Sequence, residues 1–490
     1  MTEASERRDV LLVNPPPSTP VALLCAECVR LPPMGLACLG AALRQHGYSP
    51  TILDMRIRRN TKERFLTEFR RLRPKVVGFT VMTDYVHNAV RLARLIKAID
   101  PQCWTVFGGA HPDFRAAEIL NTGVVDIVAV KADGEDVVVE LCDAAWGNRG
   151  GLERIRGIVF KDGHAIVRTA GRRPVEDLDS FPWPAWDLLS LEDYEVPLVH
   201  TTRGCVGHCK FCCEGKGVAN RVRFRSIPHV MEELAYLYEL GIRRISFSDD
   251  NFVTGRKRLE ELCAALSASF PGLRWSCGAR VDTVSVEGIR LMAESGCEAI
   301  HFGIESISKR TMDQVGKRFS LERLEEKIAA ARELSIMIVL TFVLGLPDDT
   351  EEQIRESLAY AVNMRERYNS MSVFGTLTPF PGSEYGDHPE KYGITIHSRN
   401  YDHYNTLTPI ISTPHLTRRR LQNLQCEFSL AQIDAIKGRA GADLLRLKER
   451  GFVDQLGRLT IGREDAAVSP VQAPEGVPAD AEGRSEVRSN

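Results

Sequence analysis

The sequence lacks an excess of charge of either sign. Lys and Arg total 63 against 65 Asp and Glu in 490 residues, a formal net charge of -2. A protein that binds nucleic acid or an anionic membrane through its overall field carries a clear basic surplus. The composition therefore indicates neither partner, and a small or neutral substrate fits it better.

Long apolar runs and abundant cysteine are missing too. The first residues, MTEASERRDVLLV, do not contain the apolar core of a signal peptide, and no run reaches the ~18 apolar residues of a membrane span. We therefore expect a cytoplasmic protein without membrane segments. The 13 cysteines are too few for a disulfide framework in a chain of this length. In a reducing compartment, clustered cysteines indicate metal ligands.

Residues 9–142 alternate short apolar runs with helical patterns, a rhythm typical of a parallel α/β sheet. No Gly-x-Gly-x-x-Gly follows the first strand, so NAD or FAD is not expected here. The turns after the strands should line the sheet edge at which such folds bind cofactors. These turns contain Asn14, Pro15, Thr80, Val81, Met82, Gly108, Gly109 and His111.

From about residue 197, six strand-and-helix units follow one another and predict a partial (β/α)6 barrel with its chemistry at the carboxyl ends of the strands. A small hairpin is expected around Asp162-Gly163. The α/β fold then divides into five segments. They are a Rossmann-like domain (1–145), a linker with the hairpin (146–192), the partial barrel (193–392), a mainly helical C-terminal region (393–460) and a disordered tail (461–490).

Directly after the first barrel strand, Cys205, Cys209 and Cys212 form the pattern C-x3-C-x2-C. Three thiolates on a [4Fe-4S] cluster leave one iron open to a small molecule. Zinc is the alternative, but it prefers four ligands and would need His208, Cys213 or a distant residue. The spacing, the strand-end position and the missing fourth ligand favour the cluster.

This loop, with an aromatic residue before its last cysteine, resembles the defining motif of the radical S-adenosylmethionine (SAM) superfamily. The resemblance implies that SAM chelates the open iron and is split to a 5′-deoxyadenosyl radical, with an electron from a donor such as flavodoxin or ferredoxin. SAM offers an ammonium, a carboxylate, a ribose and an adenine, which call for an acceptor, a cation and a stacking surface. Each candidate alone has an ordinary structural alternative. The residues implied in SAM binding are Phe211, Asp250, Asn251, Arg280, Glu305 and Lys317.

An α/β domain ahead of such a barrel resembles the cobalamin-binding branch of the superfamily, over residues 9 to about 390. The resemblance implies that the turns of the N-terminal sheet hold cobalamin over the barrel mouth. Asp54-Met55-Arg56 stands where proteins that ligate cobalt through histidine have Asp-x-His, so this site provides no imidazole. His111 is another candidate ligand, although a loop histidine more often forms hydrogen bonds.

Within this branch, the pattern implies a methyltransferase of a biosynthetic pathway. It would carry a methyl group from SAM via methylcobalamin to an unactivated carbon, or to a phosphorus, of a small metabolite or peptide-derived substrate. One alternative is a radical SAM oxidoreductase, cyclase or rearranging enzyme without net methyl transfer, whose N-terminal domain no longer binds cobalamin. Another is a non-enzymatic cobalamin or metal sensor. The Cys25 and Cys28 pair has no second pair and indicates a loop rather than a redox site.

Overall fold

The structure is a computed structural model that describes residues 7–19, 30–131, 133–147, 151–213 and 221–435. The Cys25 and Cys28 pair, the C-terminal segment 436–460 and the tail 461–490 lie outside the described residues. The expectations for them stay predictions.

The N-terminal domain is a seven-stranded sheet with helices on both faces. Its strands are β1 (Asp9–Asn14), β2 (Ser49–Asp54), β3 (Val76–Thr80), β4 (Trp104–Gly108), β5 (Ile127–Ala129), β6 (Ile158–Asp162) and β7 (Ala165–Arg168). Its helices are α1 (Met34–Gln45), α2 (Lys62–Leu72), α3 (Val86–Ile99), α4 (Pro112–Leu120) and α5 (Gly134–Trp146). The order is β2-β1-β3-β4-β5-β6-β7, and β1 to β5 are parallel. Apolar clusters cover both faces of this sheet, which confirms the doubly wound α/β prediction.

The hairpin predicted around Asp162-Gly163 is present, but it belongs to the N-terminal sheet. Strand β6 pairs antiparallel with β5, and β7 pairs with β6. The hairpin covers the edge of β5, whose backbone groups would otherwise lack partners. The sheet therefore extends to Arg168, and the expected linker over 146–192 is corrected on this point.

The second domain is a partial barrel with two short ribbon strands at its start. Its strands are β8 (Leu198–Val199), β9 (Thr202–Arg203), β10 (Arg223–Phe224), β11 (Arg244–Phe247), β12 (Arg274–Ala279), β13 (Cys297–Glu305), β14 (Met337–Leu344) and β15 (Met371–Thr376). Its helices are α6 (Ile227–Glu239), α7 (Arg256–Ser269), α8 (Val286–Glu294), α9 (Lys309–Val315), α10 (Leu321–Glu333) and α11 (Glu351–Tyr368). Six parallel strands run in the order β8-β11-β12-β13-β14-β15. The six predicted units are confirmed.

The segment after β15 contains α12 (Glu384–Asp387), β16 (Thr395–Ile396), β17 (Ile411–Ser412) and α13 (Arg418–Ala435). Between residues 393 and 417, an antiparallel β16–β17 pair takes the place of the expected helical structure. Helix α13 packs on β15, where the Phe374 and Phe428 rings lie 5.1 Å apart. No helix in the described part of the chain combines the length and apolar character needed to cross a bilayer.

Candidate functional site

The three cysteines lie on the loop that follows β9, at the carboxyl end of the barrel. Gly204, with a φ of +91°, turns the chain into this loop. A Cβ on Gly207 would lie 3.2 Å from Cys205 Sγ and 3.8 Å from Cys209 Sγ, so the two sulfurs flank one small space. The Cys212 N–H donates to the Cys209 carbonyl at 3.0 Å. All three thiols are partly accessible, as ligands of a reactive cluster must be.

Two cations, Arg280 and Lys317, lie near Cys209. Arg280 Nη1 lies 3.8 Å from Cys209 Sγ. Burial raises the pKa of Cys209, while Lys317 and Arg280 act in the opposite direction and favour the thiolate. Among the described residues, no three His, Cys, Asp or Glu side chains already converge on one metal position. Three cysteines on one loop, with Arg280 near Cys205 and Cys209, fit a [4Fe-4S] cluster better than a closed zinc site.

Asp249 fixes the base of the cysteine loop. Its carboxylate accepts hydrogen bonds from the N–H and hydroxyl groups of Thr201 and Thr202, at 2.5 to 3.1 Å. Burial raises the pKa of Asp249 to about 6, although these hydrogen bonds act against the rise. Its neighbour Asp250 is exposed and lines the large cavity described below. Asp250 is therefore accessible to a ligand in this cavity, and its contact with the SAM ammonium stays a prediction.

Asn251 was expected to contact SAM, but the structure gives it a different position. Its amide donates to the Val253 carbonyl at 3.0 Å and accepts from the Arg280 N–H at 2.9 Å. Asn251 thus holds the end of β12, because a buried amide needs its hydrogen bonds satisfied. The Arg280 guanidinium pairs with Asp282 at 2.7 Å. Phe211 is half-buried and packs against the barrel core.

Lys317 and Glu305 form a buried ion pair at the end of β13. Lys317 Nζ lies 2.5 Å from Glu305 Oε1 and donates to the Gly303 carbonyl at 2.8 Å. Glu305 has a φ of +67°, and the register of β13 with β14 shifts between Gly303 and Glu305. This bulge directs the carboxylate toward Lys317 at the barrel mouth.

A cavity of about 540 Å³ lies between the edge of the N-terminal sheet and the cysteine loop. Four of the residues predicted for cobalamin line it: Thr80, Met82, Gly108 and Gly109. The barrel contributes residues that include Arg203, Gly204, Cys213, Arg223 and Asp250. Apolar side chains of the N-terminal core also line it, among them Leu12, Val106, Val138 and Leu141. The same cavity therefore reaches both the sheet edge and the loop that carries the three cysteines.

The edge of this cavity is bare backbone at Gly109. Gly109 has a φ of +110°, and a Cβ there would lie 3.1 Å from the backbone N and O of Val81. Val81 is itself fully buried beneath this turn and does not line the cavity. Its N–H donates to the Gly108 carbonyl at 2.8 Å. The glycines let a ligand approach the backbone closely, whereas the Val81 side chain has a structural role.

Asn14 and Pro15 do not line the large cavity. The Asn14 amide donates to Asp54 at 3.0 Å, and Arg56 Nη2 pairs with the same carboxylate at 2.8 Å. The buried Asp54 carboxylate needs these partners, so the Asn14 side chain is engaged in a hydrogen bond that links β1 to β2. Pro15 is buried. Asn14 and Arg56 line a smaller cavity of about 170 Å³. The smaller cavity shares Thr80 and Met82 with the large one, and cobalamin binding by Asn14 and Pro15 stays a prediction.

His111 lies outside the large cavity as well. It is buried, with Nδ1 3.4 Å from Thr83 Oγ1 and its ring 4.5 Å from the Tyr401 ring. Burial, reinforced by Arg115 and His87, lowers the pKa of His111 to about 3. It lines neither cavity described here, because the chain after β15 returns to cover it. His111 Nε2 is buried and has no hydrogen-bond partner within the described structure, and a contact of His111 with cobalamin stays a prediction.

Four charged residues on the cavity wall were missed by the sequence reasoning: Asp133, Glu135, Arg203 and Arg223. Two features of the sequence could have indicated them. Acidic residues stand at the start of α5, the helix that follows β5, and an arginine stands two positions before Cys205. The buried Arg223 Nε has no hydrogen-bond partner within the described structure, and Arg223 is part of the cavity wall; a buried donor of this kind calls for an acceptor.

These features fit cobalamin. A bare glycine edge suits close approach of the corrin, the apolar end suits an aromatic base, and the unpartnered Arg223 Nε suits a peripheral amide oxygen or phosphate. The residues that would hold it are those that line the cavity: Thr80, Met82, Gly108, Gly109 and Arg223.

Family models match both domains. The B12 binding domain model matches residues 28–141, and the Radical SAM superfamily model matches residues 199–361, which include all three cysteines of the loop. These matches confirm the resemblance drawn from the cysteine loop and the sheet edge, together with the three cofactors it implied. They do not support an N-terminal domain that has lost cobalamin.

Curated relatives of this chain include a protein named as a methyltransferase and one named as a cyclase. An uncharacterized methyltransferase of Pyrococcus horikoshii is 27% identical over 421 residues, which cover 85% of this chain and 90% of the relative. The anaerobic magnesium-protoporphyrin IX monomethyl ester cyclase of Rubrivivax gelatinosus is 26% identical over 407 residues, covering 80% and 71%.

A solved structure shares the fold. The radical SAM methyltransferase TsrM of Kitasatospora setae, with tryptophan substrate and a SAM analogue bound, superposes with a TM-score of 0.68 at 19% identity. The superposition covers 85% of this chain and 89% of TsrM. The arrangement of an α/β domain before a partial barrel is therefore common to both proteins.

Proposed function

This chain is a radical SAM enzyme with a B12-binding domain, and we propose that it transfers a methyl group from SAM, by way of cobalamin, to its substrate. The acceptor in this proposal is an unactivated carbon, or a phosphorus, of a small metabolite or peptide-derived compound. The observation that carries the proposal is the cavity of about 540 Å³, because it reaches from Gly109 at the sheet edge to Gly204 at the cysteine loop.

When bound, cobalamin supplies a cobalt centre that accepts a methyl group and passes it on, and the cluster supplies the electron that cleaves SAM. The protein residues have the tasks of binding and orientation. In the proposal, exposed Asp250 accepts from the SAM ammonium, and Arg280 and Lys317 provide positive charge near the thiolates. Phe211 supplies an aromatic surface for the adenine. Asn251 acts indirectly, by fixing the backbone of Arg280.

The chemistry of the cluster also indicates the cellular compartment and the electron donor. A [4Fe-4S] cluster with an open iron needs a reducing environment and a low-potential electron donor such as flavodoxin or ferredoxin. We place the enzyme in the cytoplasm on this basis. The balanced charge of the chain favours a small substrate over nucleic acid.

The test uses anaerobically reconstituted protein with cobalamin, a chemical reductant and SAM carrying a deuterated methyl group. Small molecules extracted from cells serve as the substrate source. Mass spectrometry should find S-adenosylhomocysteine, 5′-deoxyadenosine and a product that carries the label, all dependent on the protein. A matched reaction without cobalamin should lose the labelled product. If 5′-deoxyadenosine forms but neither the label nor S-adenosylhomocysteine appears, methyl transfer is contradicted.

That outcome would favour the second candidate, a radical oxidoreductase or cyclase. The observation behind it is the similarity to the Rubrivivax cyclase over 80% of this chain. The two candidates share the cluster, SAM and the cobalamin domain, so they differ in the fate of the methyl group. Accumulation of an unlabelled, oxidised product would support the cyclase reading.

A further inference from the structure

A cluster of four charged side chains joins the two domains beside the cavity, and we call it the Asp133 cluster. It consists of Asp133, Glu135, Arg203 and Arg223. The two acids flank the start of α5 in the N-terminal domain, while Arg203 ends β9 and Arg223 begins β10 in the barrel domain. All four line the cavity.

The ion pairs are close and largely buried. Arg203 Nη1 lies 3.1 Å from Asp133 Oδ1, and its Nη2 lies 2.5 Å from Glu135 Oε1. Arg223 holds the Asp133 carboxylate with both terminal nitrogens, at 2.7 and 3.0 Å. Three of the four side chains are at most 5% exposed, and that of Arg203 is 27% exposed.

Such buried pairs contribute more to orientation than to stability. The cost of removing the charges from water offsets much of their attraction. Apolar residues of similar size that pack well in the same place often give a protein equal or greater stability. The arginine fork and the carboxylate accept only a narrow range of relative positions. A cluster of this kind between two domains therefore restricts how one domain lies against the other.

Arg203 connects this restriction directly to the cysteines. It pairs with Arg223 across the β9–β10 ribbon, and the next residues are Gly204 and Cys205. A change in the position of Arg203 must move the start of the cysteine loop, because only one residue separates it from Cys205. We propose that Arg203 is a positioning residue whose pairs with Asp133 and Glu135 set the cysteine loop relative to the cobalamin-binding edge. Its use in catalysis rests on the proposed function.

Three variants of the full chain test this role. Arg203→Met removes the pairs and keeps much of the side-chain length, and Arg203→Lys keeps the charge without the fork. The matched control is Arg172→Met. Arg172 pairs with Glu140 of the same helix α5 at 2.5 Å, its side chain is 14% exposed, and it does not line the cavity.

The first readout is amide hydrogen exchange of the protein without added cofactors. Arg203→Met should accelerate exchange over 201–213 by about tenfold, the factor that corresponds to ~1.4 kcal/mol of local stability. Arg203→Lys should lie between Arg203→Met and the wild type, and Arg172→Met should match the wild type over this segment. Equal exchange in Arg203→Met and the wild type would overturn the proposal. So would acceleration spread evenly over the whole chain, since that indicates only a general loss of stability.

The second readout is the distance between the cofactors, measured by pulsed electron paramagnetic resonance on protein loaded with cob(II)alamin and a reduced cluster. Arg203→Met should broaden or shift the distance distribution, Arg203→Lys should do so less, and Arg172→Met should not change it. An unchanged distribution in Arg203→Met would contradict the proposal. Neither readout requires a substrate or methyl transfer, so failure of the positioning role is distinguishable from failure of the proposed function.

Discussion

The Lys317 ammonium and the Glu305 carboxylate lie 2.5 Å apart at the barrel mouth, and both side chains are buried. A Cβ on Gly303 would lie 2.6 Å from Lys317 Nζ and 2.7 Å from Glu305 Oε1, so a side chain at this position of β13 would displace the pair from its present geometry. The positive φ of Glu305 brings the carboxylate to the same point. The strand end is thus shaped to hold one buried cation beside the cysteine loop.

Lys317→Met should destabilise the protein by about 3–5 kcal/mol, because it leaves the Glu305 carboxylate buried without its partner. If Lys317 also supports SAM, affinity for SAM should fall by about 10- to 100-fold, as expected for one lost charge-assisted hydrogen bond. Urea unfolding and SAM titration measure the two effects.

The control for this substitution is Lys309→Met. Lys309 pairs with Asp313 at 2.7 Å on the neighbouring α9, but its side chain is exposed, and such a surface pair contributes about 0–1 kcal/mol. Equal losses of stability in the two variants would contradict the importance given to the buried pair. Unchanged SAM affinity in Lys317→Met would remove Lys317 from the SAM site.

His111 predicts a pH dependence of stability. Its pKa falls from an ordinary value of 6.5 to about 3 in the folded protein, so the unfolded chain binds more protons between these values. The contribution of His111 is therefore fully present above pH 6.5 and is lost as the pH falls toward 3. Between pH 7 and 5 the loss should be about 2 kcal/mol.

His111→Leu should flatten this dependence when urea unfolding is measured at several pH values. The control is His164→Leu, at an exposed histidine in the β6–β7 turn. This variant should show the same pH dependence of the free energy of unfolding as the wild type. His111→Leu should also keep its capacity to bind cobalamin with an unchanged absorbance spectrum. A spectrum altered as by loss of an axial ligand would identify His111 as a cobalt ligand and contradict its assigned position.

Gly109→Ala should lower the free energy of unfolding more than Gly108→Ala, although both residues lie at the edge of the sheet that lines the cavity. Alanine at 109 would adopt a φ of +110° and place its Cβ 3.1 Å from the backbone of Val81, at a cost of about 1–3 kcal/mol in strain. At 108, the new Cβ would meet Ala129 at an ordinary 3.8 Å. Urea unfolding of both variants measures this difference, and equal stabilities would show that the turn adapts freely.

The sequence predicts the features that depend on neighbours in the chain. Strand rhythm indicates the two α/β domains, and the spacing of Cys205, Cys209 and Cys212 indicates the cluster without any knowledge of the fold. Glycines in a turn after a strand likewise indicate a site of close approach, which the structure shows at Gly109.

Features that depend on distant partners could not be predicted in the same way. Asn14 is directed by Asp54, 40 positions away, and His111 is covered by Tyr401, which belongs to the segment after the barrel. The ion pair of Arg203 with Asp133 spans 70 positions. The residues next to each of these side chains in the sequence are compatible with several roles. The role is determined by a contact with a residue that is distant in the sequence.

The most direct test of the central claim is the formation of 5′-deoxyadenosine by cysteine variants, with iron measured in the same samples. Reconstituted wild-type protein should bind about four irons per chain and should cleave SAM when reduced. Substitution of Cys205, Cys209 or Cys212 by alanine should abolish both, whereas Cys213→Ala should retain both. Undiminished 5′-deoxyadenosine formation in the three single variants, or tight binding of zinc in place of iron by the wild type, would contradict the account.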